Sequence, residues 1–152
     1  MKKFLVTLMI FALVLVTGCT KVEDMGDYKE GTYFGTYTDN YGGSESVATA
    51  VVYVDETGNV KSVFLDTTHV KDGINTTKKT LGDDYNMKVA SPIGKEWHEQ
   101  VKALEDKIVA EQGLDWLEWS DEDQTETDSV SGVTMKINAL YRAVEDALNL
   151  AK

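Results

Sequence analysis

Hydrophobic and polar positions change period once along this chain. Up to about residue 67 they alternate as in strands; beyond residue 96 they recur every three or four, as on one face of a helix. Gly31-Thr32-Tyr33-Phe34-Gly35-Thr36-Tyr37 is rich in strand formers and runs into the turn signal Asp39-Asn40-Tyr41-Gly42-Gly43. Over 46–54, Val47, Thr49, Val51 and Tyr53 point one way and Ala48, Ala50, Val52 and Val54 the other. Both faces are mostly apolar, which predicts a central strand. Asp55-Glu56-Thr57-Gly58-Asn59 is a hairpin-length turn, and 60–66 returns as the partner strand. The expected unit is a three-stranded antiparallel meander.

The stretch 67–92 is polar, glycine-bearing and aperiodic, and it reads as a long loop of the kind that carries function. Its most distinctive piece is Lys78-Lys79-Thr80-Leu81-Gly82-Asp83-Asp84-Tyr85. A helix is predicted over 96–112, because Trp97, Val101, Leu104 and Ile108 share one face, with Gly113 as its C′ cap. A short apolar patch (114–119) and an acidic stretch (120–128) follow. The last helix is predicted over 133–150, burying Ile137, Leu140, Tyr141, Val144 and Leu148. The predicted class is α+β, an antiparallel β-meander packed against two amphipathic helices, after an N-terminal signal peptide.

The first residues read as an address. Lys2 and Lys3 precede an apolar run over 4–16, shorter than the roughly 20 residues that a spanning helix needs. The run closes on Leu15-Val16-Thr17-Gly18-Cys19, which resembles the lipobox of bacterial lipoproteins. That resemblance implies a signal peptide over 1–18, lipidation of Cys19, a polar tether over 19–27 and a domain over 28–152. It places the protein on the extracytoplasmic face of the cell membrane, held by a lipid anchor. Cys19 is the single cysteine among 152 residues, so neither a disulfide framework nor a zinc-ribbon ligand set is available. The net charge of −11 opposes binding to nucleic acid, which requires an excess of Lys and Arg.

Candidate chemistry gathers where the last helix is predicted to begin. Asp128-Ser129-Val130-Ser131-Gly132-Val133-Thr134 places an acid, a glycine and hydroxyls at a helix N-terminus. Taken alone, such a string caps a helix: Ser131 or Thr134 as cap, Gly132 for a tight turn, Asp128 beside the positive end of the dipole. The same geometry suits a phosphate, because free backbone N–H groups there point at an anion.

Taken together, the opening Gly31-Thr32-Tyr33, the meander, the D-x-V-S-G-V-T motif and the C-terminal helix resemble the FMN-binding domain family. These domains occur in the flavin-carrying subunits of sodium-pumping NADH:quinone oxidoreductase and of Rnf complexes. Thr80-Leu81-Gly82-Asp83-Asp84-Tyr85, Gly94-Lys95-Glu96-Trp97 and Ser131-Gly132-Val133-Thr134 look most like single repeats of the flavin-bearing pheromone-type lipoproteins of extracellular electron transfer. The resemblance implies FMN attached through a phosphodiester to Thr134 by a flavin transferase. It implies that Ser131, Gly132, Val133 and the neighbouring amides hold the phosphate, and that Asp128 is a recognition element for the transferase. It also implies redox partners at the cell surface and an electron carrier rather than a substrate-transforming enzyme. Two positions depart from the pattern: Val133 replaces an alanine, and Lys136 stands where many members place a hydroxyl. The alternative is a lipoprotein of the same fold that binds flavin or another small ligand reversibly, or a surface interaction module without cofactor.

Other conspicuous residues have plainer expectations. Trp97 reads as core, and Trp116 and Trp119 as packing beside the sheet rather than stacking on a flavin. His69 and His98 lack the partners of a metal site. The acidic run from Asp121 has Glu126 where a calcium-binding loop of the EF-hand type needs glycine.

Overall fold

The computed structural model describes residues 25–41 and 43–152. The signal peptide over 1–18, Cys19 and most of the tether lie outside the described residues. Among the described residues no helix is long and apolar enough to cross a membrane.

The fold is α+β. Four antiparallel strands, β1 (Gly31–Tyr41), β2 (Ser44–Val54), β3 (Val60–Lys71) and β4 (Ile74–Thr77), form one sheet in the order β1-β2-β3-β4. The meander expected over the first three is present, and β2 is interior as its pattern predicts. The expected long loop over 67–92 is not one. β3 continues to Lys71, and Asp72 and Gly73, both at positive φ (52° and 77°), turn the chain into β4. That is the geometry of a two-residue hairpin turn. A single helical turn, α1 (Lys78–Leu81), and 3₁₀ turns over Gly82–Tyr85 and Met87–Val89 fill the rest.

Helix α2 (Trp97–Ala110) starts at a capping box between Glu96 and Glu99, close to the predicted boundary. It ends in a Schellman turn in which Gln112 takes the left-handed conformation (φ 59°) expected of Gly113. Gln112 N–H donates to the Val109 carbonyl and Gly113 N–H to the Ile108 carbonyl. The Gln112 side chain then pairs with both backbone groups of Val60, and Glu105 Oε1 accepts the Leu65 N–H at 2.7 Å. Beyond the reach of β4, backbone groups of Val60 and Leu65 on β3 are thus occupied by side chains from α2 and from the turn that ends it.

Helix α3 (Asn138–Leu150) packs on β1 and β2. It begins five residues later than its hydrophobic pattern predicts. Close approach depends on small residues: a Cβ at Gly35 would stand 2.1 Å from the Ala143 carbonyl oxygen and 2.5 Å from the Ala147 nitrogen. Ala48, Ala50, Val52 and Val54 line the same face and are fully buried. On the other face, register aligns Phe34, Val51 and Phe64 in one row, with Phe34 and Phe64 about half exposed.

The described chain is docked against the sheet before β1 begins. Gly26 N–H donates to the Thr57 carbonyl and Tyr28 N–H to the Gly58 carbonyl, so the chain is already docked against the β2–β3 turn by Gly26. Lys29 N–H donates to the Ala151 carbonyl, which brings the C-terminal end of α3 to the same end of the sheet.

Candidate functional site

The segment carrying Ser131 to Thr134 is an irregular turn and not the first turn of a helix. Val133 and Ile137 are both buried, at 5% and 1% exposure, so they mimic a helical stripe while anchoring a non-helical strap in the core. Gly132 sits at φ +85°, a conformation that strains any residue with a side chain. Its hydrogen side faces Lys95, whose Nζ would lie 3.0 Å from an added Cβ.

Thr134 is exposed and lines a cavity of about 740 Å³ at the end of the sheet away from the β2–β3 turn. Its backbone is fixed by a residue of α2. The Gln100 side chain is fully buried, and its Oε1 accepts the Thr134 N–H at 2.8 Å, with the Thr134 hydroxyl 3.4 Å away. Gln100 Nε2 donates in turn to Ser91 Oγ at 3.1 Å and to the Lys95 carbonyl at 3.4 Å. One amide side chain therefore ties two loop segments, the one before α2 and the strap carrying Thr134, to the helix.

Five parts of the chain build the cavity walls, one of them the pair Thr125 and Glu126. Asp39, Ser44 and Ser46 come from the β1–β2 end of the sheet, and Thr67, Thr68 and His69 from β3. Lys78, Tyr85 and Trp97 form an aromatic and cationic wall. Tyr85 stands edge-on to His69 with ring centres 5.2 Å apart, and 6.5 Å from the Trp97 ring. The ammonium of Lys78 lies 5.3 Å from the centres of both the Tyr85 and the Trp97 rings. Burial lowers the Lys78 pKa, opposed by the negative charges of Asp39 and Asp66. Burial likewise raises the Tyr85 phenol.

The last wall is made of Thr134, Met135, Lys136 and the first turn of α3. That turn, Asn138 to Leu140, has no side-chain cap: the residue before it is Ile137, whose N–H is held by the Thr125 carbonyl. The backbone N–H groups of a first helical turn lack intrahelical partners and carry the positive end of the dipole. The positive end of the α3 dipole therefore meets this cavity, whose walls also carry the carboxylates of Asp39 and Glu126.

Several expected site residues fall elsewhere. Asp128 and Ser131 are exposed but outside the cavity walls, and the Val133 side chain points into the core. Two amides expected to meet a phosphate are already engaged: Val133 N–H with the Val130 carbonyl and Thr134 N–H with Gln100. The backbone N–H groups without an intrahelical partner at this wall are those of the first turn of α3, four residues on. Trp116 donates to the Gly113 carbonyl and Trp119 packs edge-on against Tyr141 at 5.0 Å, both away from the cavity. Trp97, expected in the core, is 3% exposed and also forms part of the wall.

Sequence reasoning missed Gln100 and Lys78. Gln100 carries no signal of its own on a helix surface pattern. Lys78 and Tyr85 lie at the two ends of the distinctive segment in the supposed loop, so the segment was visible but its partners were not. Among the described residues no group of three His, Cys, Asp or Glu side chains could hold a metal ion. His98 Nε2 stands 3.8 Å from Asp83, and Asp121 closes its own loop by accepting the Thr125 and Glu126 N–H groups.

No protein-family model and no curated protein matches the chain. Among solved structures, a solution NMR structure of a protein from Clostridium thermocellum is similar over 80% of this chain and 90% of its own length. The two share 28% identity and superpose with a TM-score of 0.54, which agrees with the α+β fold described above.

Proposed function

We propose that this chain is a membrane-anchored, extracytoplasmic flavoprotein that carries FMN as a phosphodiester on Thr134 and relays electrons. The observation that carries this reading is the position of the Thr134 hydroxyl. It belongs to an exposed residue on the wall of a cavity of about 740 Å³, within the roughly 300–1,000 Å³ of ordinary ligand sites.

The walls fit the group on three counts. Tyr85, half-buried on the wall, offers aromatic surface to a flat ring. Lys78 and Lys136 bring positive charge to a cavity that Asp39 and Glu126 also line, in a protein of net charge −11. The uncapped first turn of α3 suits a phosphate beside Thr134. Gln100 holds the Thr134 backbone, and Gly132 permits the turn that presents it. Asp128 and Ser131, exposed on the same strap, are within reach of a flavin transferase that reads the motif from outside. When bound, the isoalloxazine would supply the electron transfer, and the protein would fix its place and tune its potential.

The test is the intact mass of protein produced with its signal sequence alongside an active flavin transferase. A mass increase matching one flavin phosphodiester, lost in Thr134→Ala, supports the proposal. Unmodified mass and a colourless protein under those conditions overturn it in favour of reversible binding or a cofactor-free interaction module.

A further inference from the structure

We infer that Lys78 is a positioning residue that sets the reduction potential of the ring carried at Thr134, by presenting its ammonium to the cavity from a bed of two aromatic rings. The inference rests on the reading that Thr134 carries a flavin.

Lys78 is held in place by its surroundings. It is the first residue of α1, whose N-cap Thr77 accepts the Thr80 N–H and so fixes the turn. Its ammonium lies over Tyr85 and Trp97, 5.3 Å from each ring centre, and the residue lines the cavity wall. Among the described residues no carboxylate lies within ion-pair distance of it, in contrast to its neighbour Lys79, which pairs with Glu105. Asp39 and Asp66 act on Lys78 only through space. Its charge is therefore not cancelled at contact, and the low-dielectric aromatic bed strengthens what it does to anything in the cavity.

The electrostatic consequence follows from charge balance. A neutral oxidised isoalloxazine that takes two electrons and one proton becomes an anion. The electrons come from a donor, which is dithionite in the experiment below and is oxidised to sulfite. Positive charge at the cavity wall favours the reduced, anionic ring over the oxidised, neutral one, and so raises the potential. A purely structural lysine would leave that difference unchanged.

The experiment compares wild type, Lys78→Met, Lys78→Gln and Lys78→Arg, each produced with the flavin transferase and titrated spectroscopically with dithionite against a reference dye. Lys78→Met and Lys78→Gln are each expected to weaken reduction by about tenfold, a fall of about 30 mV for a two-electron couple, at unchanged flavin content. Lys78→Arg should retain most of the wild-type potential. The two neutral variants differ in shape, so a folding defect in one leaves the other to decide. Wild-type potential in a folded, fully loaded neutral variant overturns the role of Lys78 while leaving the flavin reading intact. Absence of any flavin adduct on wild-type protein overturns both, and the mass measurement tells the two failures apart.

Discussion

Gln100 Oε1 and the Thr134 N–H meet at 2.8 Å across 34 residues of sequence, and this bond joins the second helix to the strap that carries the candidate acceptor hydroxyl. Because Gln100 is fully buried, its amide has no water to exchange with. Each of its bonds is therefore costly to remove.

Gln100→Ala should accordingly destabilise the fold by about 2 kcal/mol, the usual cost of leaving a buried donor unmade. It should also reduce flavin loading of Thr134 under conditions that load wild type fully. Urea denaturation checks the first outcome and intact mass the second. Gln100→Glu keeps an acceptor for the Thr134 N–H and should lose less loading than alanine.

Gly35→Ala tests the contact between β1 and α3. An added methyl would fall on the Ala143 carbonyl and the Ala147 nitrogen, both backbone, so no side chain can swing aside. Overpacking of this kind should cost about 3 kcal/mol or more, read as a lower denaturant midpoint at unchanged slope.

Glu105→Ala removes a carboxylate that is 5% exposed and that receives both the Leu65 N–H and the Lys79 ammonium. The loss leaves the Leu65 N–H without its acceptor and the part-buried Lys79 without its partner, which should cost about 1–3 kcal/mol. Glu105→Gln preserves an acceptor for Leu65 and should be milder. Chemical denaturation of the two variants orders them.

Acid should act through the β2–β3 turn. The Thr57 hydroxyl, together with the Asn59 amide and Lys61, holds the Asp55 carboxyl down at about 2. A depressed folded pKa stabilises the protein above the unfolded value near 4, and that contribution is lost as pH falls toward 2. Asp121 is lowered in the same direction by the Glu126 and Thr125 groups that it accepts. Urea midpoints measured from pH 5 to pH 2 should fall for wild type and fall less steeply for Asp55→Asn.

The class of fold was legible because its main elements bury regular stripes. Trp97, Val101, Leu104 and Ile108 define one helix, and the alternation of β2 defines an interior strand. Two errors have distinct physical origins. The Lys71-Asp72-Gly73-Ile74 hairpin was overlooked because its flanking residues are polar or exposed, leaving no hydrophobic alternation around a strong turn signal. The early start assigned to α3 came from Val133 and Ile137, which are buried four residues apart without being helical. Thr134 could be singled out from its motif. Its cavity could not, since Asp39, His69, Lys78 and Trp97 reach it from separate parts of the chain, and spacing along a sequence carries no record of such convergence.

The docking of Gly26 on the β2–β3 turn and of Lys29 on Ala151 gathers both ends of the domain at one pole. From Gly31 to Asp39 the first strand covers roughly 25 Å at about 3.3 Å per residue, and the cavity lies at its far end. Holding the domain at this pole, on a bead or a coated electrode, would leave the cavity at the end farther from the support, on the side of the surrounding liquid.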